Sequence, residues 1–348
     1  MTIVWLRVSG LQTKFLFRTD MDPFFLPIKI VPPAERIRYG QKIMLAGSCF
    51  TEHIGTHLRE IKFDILQNPN GILFDPVSVA NSLISYIQPG LYDERDLFFH
   101  DELWQSWKHH GQFSDTDRNN MLSRINKVQE EAHAFLKKTD WLIITLGSSF
   151  VYVLNDTQKS VANCHRAPAS WFTKKLLPVE ETLAILDECF HRLFDFNPTL
   201  RLVLTISPVR HIRDGVIENN RSKARLIEAV HQLANKFNRT WYFPSYELVI
   251  DVLRDYRFFD RDLVHPNYMA TSFVLEQFME HYAEAESRSL AAEIRKLLIA
   301  RKHRPLHPAT DAHRRFLQEQ YSRTKDLSQR YPHIDFREEL EYFSVNGI

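Results

Sequence analysis

KIMLAGSCF, residues 42–50, is the stretch of sequence that decides the fold. Lys42–Ala46 is an apolar run typical of a strand, and Thr51–Ile61 follows with apolar residues spaced four and seven apart, on one helical face. Ser48 stands at the junction, where a serine can present its hydroxyl beside a helix N-terminus that favours developing negative charge. Ser48 is therefore a candidate nucleophile, and the alternative is that it only caps the helix.

The same alternation of apolar strands and amphipathic helices continues along the chain. Strands of this kind, separated by helices, imply a parallel sheet covered on both faces, with ligands bound beyond the carboxyl ends of the strands. We therefore predict an α/β fold, a three-layer αβα sandwich around a mainly parallel sheet. The predicted strands are Lys42–Ala46, Phe63–Leu66, Trp141–Leu146, Arg201–Ile206 and Trp241–Phe243, and the predicted helices are Thr51–Ile61, Pro76–Ile87, about 115–138, 179–193 and about 219–238.

Three parts of the chain differ in character. Residues 1–40 hold scattered prolines and no helical period, which predicts an extended arm lying over the domain. Residues 41–283 form the predicted α/β domain, with an aromatic, His-rich insertion near 91–113 that suits a hairpin. Residues 284–348 are charged and favour helix, so we expect a C-terminal helical extension.

Composition narrows the partners and the compartment. Lys+Arg 44 against Asp+Glu 43 leaves a formal charge of +1, so no global field attracts nucleic acid or an anionic membrane, and neither is expected as a partner. The three cysteines are odd in number and form no C-x-x-C pair, which argues against a disulfide scaffold and a cysteine-based zinc site. We find neither a signal-peptide pattern nor an apolar run long enough to span a membrane, so we expect a cytoplasmic protein.

The second strong local signal is FDRDLVHPN, residues 259–267. A serine hydroxyl is a poor nucleophile until a base takes its proton, and that base needs a third group to fix its tautomer. Asp262 and His265, three residues apart, are suited to supply both. The alternative is that Asp-x-x-His forms a helix-capping turn.

Six motifs follow one another over about residues 40–283. Together they resemble the SGNH (GDSL) hydrolase superfamily and, more specifically, the GSCFA-domain family, which is named for the first of them. The motifs are Gly47-Ser48-Cys49-Phe50, Asn68-Pro69-Asn70-Gly71, Leu146-Gly147-Ser148-Ser149, Asn163-Cys164-His165, Ser207-Pro208-Val209-Arg210-His211 and Asp262-Leu263-Val264-His265-Pro266-Asn267.

The resemblance implies a flavodoxin-like sandwich and acyl transfer from an ester, without metal or cofactor. Ser48 would be the nucleophile, His265 the general base and then acid, and Asp262 the group that orients His265. A serine-bound acyl intermediate would pass to water or to an acceptor alcohol. Backbone N–H groups of Ser48 and Gly71 would hold the oxyanion, and one such donor is commonly worth about 10²–10³ in rate. The implied substrate is a small-molecule or glycan ester.

Two positions depart from the wider superfamily. Gly47 stands where that superfamily usually has aspartate, and Ser148 stands where it usually has an asparagine that completes the oxyanion hole. The third donor is therefore open between the hydroxyls of Ser148 and Ser149 and the side chain of Asn163. We favour Ser148 because it follows its strand directly.

Five further residues are candidates for substrate binding. They belong to the same motifs, and a structural role in a turn or loop is the alternative for each. They are Asn68, Asn163, His165, Arg210 and His211.

Other functions compete with catalysis. The same fold can hold a ligand without turning it over, and the altered third motif keeps that alternative open. A structural partner protein built on the C-terminal helices would expose a large apolar patch there. His53 and His57 have a spacing that can bind a metal from one helix, but no Glu follows His53 to complete the zinc-protease pattern, and we predict no metal site.

Overall fold

The computed structural model describes residues 3–8, 11–16, 26–88 and 90–345. Its strands are β1 (Ile3–Val8), β2 (Leu11–Leu16), β3 (Lys42–Gly47), β4 (Asp64–Gln67), β5 (Phe98–His100), β6 (Leu103–Gln105), β7 (Trp141–Leu146), β8 (Phe150–Leu154), β9 (Ser160–Val161), β10 (Phe172–Leu176), β11 (Arg201–Ile206) and β12 (Thr240–Tyr242). Its α-helices are α1 (Cys49–Glu60), α2 (Pro76–Ile87), α3 (Arg118–Leu136), α4 (Val179–Phe196), α5 (Val216–Lys236), α6 (Ser245–Glu247, continued by a π-helix at Leu248–Leu253), α7 (Tyr268–Tyr282), α8 (Ala285–Lys302), α9 (Asp311–Arg330) and α10 (Arg337–Val345).

A five-stranded parallel sheet forms the centre, in the order β12-β11-β7-β3-β4. Numbered among themselves along the chain, these strands run 2-1-3-4-5, the flavodoxin-like order. The order reverses between β3 and β7, and in such sheets the crevice at that reversal, beyond the carboxyl ends of the strands, is where ligands bind. Gly47 ends β3, so the Gly-Ser junction lies at this crevice.

The two faces of the sheet carry separate apolar clusters, because successive side chains of a strand point to opposite faces. In β3, Ile43 and Leu45 pack with α1 and α7, whereas Met44 and Ala46 pack with α2 to α5. Both clusters are almost free of solvent exposure. The predicted three-layer sandwich is confirmed.

The C-terminal helices α8, α9 and α10 are present as predicted, and they extend the core of one face. Ile294, Leu317 and Phe343 belong to the same buried cluster as Leu58 of α1. The apolar core therefore runs without a break from the sheet into the extension. Where a domain boundary falls near residue 283 stays a prediction.

Smaller elements decorate the sandwich. In the predicted N-terminal arm, β1 and β2 pair antiparallel, while residues 1–2, 9–10 and 17–25 lie outside the described residues. Within 91–113, β5 and β6 form an antiparallel hairpin. Strands β8, β9 and β10 form a three-stranded antiparallel sheet that the sequence analysis does not predict. Across the described ranges, no helix combines the length and the apolar character needed to cross a membrane.

Candidate active site

Ser48 lies between the end of β3 and the first turn of α1, and only 1% of its surface is exposed. Its Oγ accepts a hydrogen bond from the N–H of Phe50 at 3.3 Å, so Ser48 does cap the helix. A capping serine keeps its own hydroxyl proton to donate. The cap and the proposed nucleophile are therefore compatible roles for one side chain.

Gly47 fixes the backbone ahead of Ser48. Its φ is +140°, a conformation that L side chains rarely adopt, and a Cβ there would lie 2.1 Å from the carbonyl oxygen of Thr145. Its N–H donates to Oδ1 of Asn68 at 2.9 Å. In this backbone conformation an aspartate does not fit at position 47, which gives a steric reason for the departure from the wider superfamily.

Asn68, a candidate for substrate binding, is 5% exposed and bonds to Gly47, just ahead of Ser48. Its Oδ1 accepts from Gly47, and its Nδ2 donates to Glu52 of α1 at 2.7 Å. Both ends of the amide are thus used within the protein. These bonds hold the β3–α1 junction, and a contact between Asn68 and substrate stays a prediction.

Asp262 and His265 form a hydrogen-bonded pair. Nδ1 of His265 lies 2.6 Å from Oδ2 of Asp262. An ionised carboxylate only accepts, so the proton is on Nδ1 and Nε2 carries a free lone pair. Oδ1 of Asp262 also accepts the N–H groups of Val264 and His265, at 2.9 and 3.1 Å, so the capping turn is present as well. These hydrogen bonds, led by the one from the His265 ring, lower the pKa of Asp262 to about 2.

The loop that carries this pair is attached to the turn after β11. The N–H of Arg210 donates to the carbonyl of Val264 at 3.2 Å, and its guanidinium donates to the carbonyl of Leu263 at 3.0 Å. The guanidinium also lies 4.1 Å from the ring centroid of Phe259. Arg210 therefore secures the His265 loop, and its contact with substrate stays a prediction.

Among the described residues, no hydrogen bond joins Ser48 to His265. His265 is half-exposed on its loop while Ser48 is buried. Catalytic hydrogen bonds are often long or absent in unliganded enzymes and form when substrate binds.

The backbone groups predicted to hold an oxyanion have acceptors within the protein. The N–H of Ser48 donates to Thr145 at 3.0 Å, and the N–H of Gly71 donates to Asn68 at 2.7 Å. Gly71 is still required to be glycine, since its φ is +79° and a Cβ would lie 2.3 Å from Cβ of His110. The close approach at Gly71 is thus to His110.

Ser148, the favoured third donor, is also engaged. Its N–H donates to the carbonyl of Phe74 at 3.1 Å, and its hydroxyl lies 3.2 Å from the hydroxyl of Ser222 on α5. Ser149 is tied to the same Ser222 by its N–H at 2.7 Å. In this conformation the backbone N–H groups of Ser48 and Gly71 are paired, while the Ser148 and Ser222 hydroxyls share one hydrogen bond in which either can be the donor.

Lys223 on α5 is a site residue that the sequence analysis missed. Its side chain is fully buried, and Nζ donates to the carbonyls of Gly147 and Ser207, both at 2.6 Å. These carbonyls lie just past the ends of β7 and β11, so one ammonium ties two strand ends together. Burial lowers the pKa of Lys223 to about 7. In the sequence, Lys223 lies three residues before Leu226 on the apolar face of a predicted helix. A lysine at such a position is the signal that could have identified it.

A cavity of about 970 Å³ opens at this end of the sheet. The antiparallel sheet of β8 to β10 forms one wall with aromatic rings, and polar side chains complete the lining. Asn163 and His165 line the cavity and also make hydrogen bonds within the protein. The His165 N–H donates to Asn163, and Nε2 of His165 lies 2.8 Å from the carbonyl of Ser106. The lining includes Phe74, Ser148, Phe150, Tyr152, Phe172 and His211.

Within the described part of the cavity lining, His211 contributes a buried ring nitrogen that has no hydrogen-bond partner. Its Nε2 is buried without a hydrogen-bond partner, and burial lowers the pKa of His211 to about 3. The imidazole is therefore neutral at pH 7. At pH 7 His211 therefore brings no positive charge to a substrate, and its contact with substrate stays a prediction.

Metal binding has no support in the part of the chain that the structure describes, where no group of three or more His, Cys, Asp or Glu side chains could hold an ion. His57 pairs instead with Glu60 at 3.6 Å.

Two models of known protein families match separate parts of the chain. A family model described as GSCFA family matches residues 42–278, and one described as GSCFA domain protein, C-terminal domain, matches residues 294–345. No curated protein sequence matches.

Several solved structures are similar over most of their length. A family 3 carbohydrate esterase from Talaromyces cellulolyticus shares 10% identity, with 74% of this chain and 99% of that chain covered and a TM-score of 0.34. A family 3 carbohydrate esterase from Clostridium thermocellum shares 13% identity, with 72% and 98% covered and a TM-score of 0.33. A variant of an acetyl-xylooligosaccharide esterase from Geobacillus shares 12% identity, with 72% and 97% covered and a TM-score of 0.37. At these values the similarities carry no argument about activity.

Proposed function

Because the chain belongs to the GSCFA family, we propose that it is a serine-dependent ester hydrolase or O-acyltransferase. Ser48 is the nucleophile, His265 the base, and Asp262 the group that orients His265. The substrate is a small or carbohydrate-linked acyl ester. The observation that carries the proposal is the 2.6 Å hydrogen bond between His265 and Asp262, on a loop fastened to the turn that follows β11.

The local chemistry suits a general base. The carboxylate of Asp262 holds the proton of His265 on Nδ1, which leaves Nε2 able to accept a proton and stabilises the imidazolium that forms. The pKa of Asp262, lowered to about 2, keeps it ionised across the working range of pH. A base of this kind commonly contributes about 10²–10⁴ in rate.

The reaction divides into two transfers. Oγ of Ser48 attacks the ester carbonyl carbon while its proton passes to Nε2 of His265, and the carbonyl oxygen becomes negative. Collapse of this intermediate breaks the bond to the alcohol oxygen, which takes the proton from His265 as it leaves. Water, or an acceptor alcohol, then attacks the acyl-serine by the same route, and Ser48 regains its proton.

The cavity suggests where the alcohol part of the substrate binds. Its volume suits a ligand larger than a bare acyl group, and rings of Phe150, Tyr152 and Phe172 supply flat apolar surfaces. The apolar faces of sugar rings pack on such surfaces, while their hydroxyls need polar partners at the rim. Asp75, whose pKa burial raises to about 6, is a polar group of this lining.

The test uses the full chain with p-nitrophenyl acetate and an alkyl fluorophosphonate. We expect ester cleavage and labelling by the wild type, and a fall of about 10⁴-fold or more in kcat/KM for Ser48→Ala and for His265→Ala. Loss of the cap in Ser48→Ala should cost only about 1 kcal/mol of stability. Ser289→Ala, an exposed serine on α8, is the control and should retain activity and labelling.

Activity that survives Ser48→Ala would overturn the proposal. An added alcohol that diverts the acyl group from water, seen as an ester product, would identify a transferase.

The second candidate is a binding module on the same fold. It is favoured by the committed oxyanion donors of Ser48 and Gly71 and by the missing hydrogen bond between Ser48 and His265. It predicts no turnover, no labelling of Ser48, and saturable binding of an acylated sugar that Tyr152→Ala weakens. Isothermal titration with the same esters separates the two candidates.

A further inference from the structure

His211 occupies a position in the fold that calls for a ligand. It follows β11, its N–H donates to Asn219 of α5 at 2.9 Å, and its ring packs against Phe74 with centroids 5.1 Å apart. The ring is thus held in place, yet its Nε2 is buried without a partner. A buried polar atom without a hydrogen bond costs about 1–3 kcal/mol, so such an atom in a cavity wall points to a ligand that completes it.

Gly147 brings this nitrogen close to the nucleophile. A Cβ at Gly147 would lie 3.0 Å from Nε2 of His211 and 3.3 Å from Cβ of Ser48. Both side chains, together with Cβ of Phe74 at 2.8 Å from the same position, therefore pack around Gly147, and the nitrogen lies close to Ser48 because position 147 has no side chain. Gly147 itself is fixed there by the bond from its N–H to Phe74 at 2.7 Å and by the bond from Lys223 to its carbonyl.

The other donors near Ser48 are already used. The N–H of Ser48 bonds to Thr145, that of Gly71 to Asn68, and the Ser148 hydroxyl contacts Ser222. A carbonyl oxygen held against Ser48 would find Nε2 of His211, which has no hydrogen-bond partner and is a donor in the tautomer that carries the proton there.

We propose that His211 is a catalytic residue whose Nε2–H donates a hydrogen bond to the ester carbonyl oxygen as Ser48 attacks. This inference rests on the proposed function. As the C–Oγ bond forms, the carbonyl electron pair moves onto oxygen, and the hydrogen bond from Nε2 stabilises that charge. The proton stays on His211 throughout, because the proton of Ser48 goes to His265. When the intermediate collapses the pair returns to the carbonyl and the hydrogen bond weakens.

A neutral imidazole suits this role, since it donates without exchanging protons in the pH range of the reaction. Burial keeps His211 uncharged, and the neighbouring Lys223, His265 and Lys174 act in the same direction. Lys174 in turn is paired with Asp214 at the cavity.

The test compares His211→Leu with His211→Gln in the full chain, using p-nitrophenyl acetate over pH 5–9. Leucine removes the donor, and we expect kcat to fall about 10²–10³-fold with KM changed less than about threefold. Glutamine keeps an N–H at similar reach and should lie within about tenfold of wild type. Both variants should keep the shape of the wild-type pH profile. His231→Gln, an exposed histidine of α5, is the matched control.

The outcomes separate this inference from the proposed function. An inactive wild type, or an active Ser48→Ala, overturns the proposed function. Activity that Ser48→Ala abolishes but His211→Leu leaves near wild type overturns the role of His211 alone. A His211→Gln variant as impaired as leucine, with a changed acid limb of the pH profile, would make His211 a base and also overturn it. Thermal unfolding of both variants identifies any loss due to misfolding, and the glutamine variant then decides.

Discussion

The Ser48 turn and the His265 loop are held by opposite means. The turn is buried, and its backbone bonds to Thr145, Asn68 and the N–H of Leu73 fix it between neighbouring segments at the crevice. The loop leaves about half of the Asp262 and His265 side chains in solvent. Ser48, the proposed nucleophile, is therefore positioned by the sheet, while His265, the proposed base, depends on a surface loop.

This difference indicates which side moves. Displacing Ser48 would break strand-end hydrogen bonds and the cap of α1, whereas displacing His265 disturbs only loop contacts and keeps its bond to Asp262. We expect the approach of base and nucleophile to come from the loop when substrate fills the cavity.

The largest expected effect comes from Gly47→Ala, which disrupts the buried turn at Ser48. The added Cβ would meet the carbonyl oxygen of Thr145 at 2.1 Å with φ at +140°, so strain and overpacking together should cost about 3 kcal/mol or more. Denaturant unfolding measures this loss. Gly90→Ala is the control because nothing lies within 4 Å of its Cβ, and similar stabilities for the two variants would refute the tight turn.

A pH-dependent effect, smaller than this within any one pH unit, is expected from Lys223→Met, which removes the ammonium that joins the ends of β7 and β11. The pKa of Lys223 is lowered to about 7 in the folded protein, against about 10.4 in an unfolded chain. Between these values the unfolded state binds more protons, so the unfolding free energy of the wild type gains with rising pH, by at most about 1.4 kcal/mol per pH unit.

The methionine variant lacks this component, so its stability relative to wild type should decline from pH 7 to pH 10. Urea unfolding across that range gives the trend. Lys236→Met, at the exposed end of the same helix, should show none. A wild-type advantage that shrinks with pH would contradict the assignment.

The smallest effect is expected from Arg210→Ala, which weakens the attachment of the His265 loop. The variant loses the bond to Leu263 and the contact with Phe259, together about 1 kcal/mol. Amide hydrogen exchange over residues 256–267 should accelerate, with kcat reduced several-fold. Arg221→Ala, an exposed arginine on α5, is the comparison, and unchanged exchange in Arg210→Ala would show that the loop is held by other contacts.

Much of the fold was predictable because it depends on periodicity. Strand β7 lies at the predicted residues, and β4 and β12 differ from prediction by one residue at each end. The sheet of β8 to β10 was not predicted because, although β8 is apolar, β9 has only two residues and β10 carries two lysines, so neither partner strand shows an apolar run.

The candidate site was predictable to the extent that its residues interact locally. Asp262 and His265 are three residues apart, so one turn of chain brings them together. Asn68 and Arg210 were predicted to bind substrate because the sequence shows the motif that each belongs to but not the residues that each bonds to. Each proved to be bonded to a segment distant along the chain, Asn68 to Gly47 and Arg210 to Leu263.

The sequence by itself determined the alternation of strands and helices, the apolar faces that stack into three layers, and the Asp262–His265 pair, since all of these follow from short-range spacing. Only the tertiary structure decided that Lys223 ties Gly147 to Ser207, that the backbone N–H groups of Ser48 and Gly71 have acceptors, and that His211 and Ser48 both lie beside Gly147. The physical reason is separation along the chain: Lys223 meets a carbonyl 76 residues away. Such partners are chosen by how the elements pack, which no local pattern specifies.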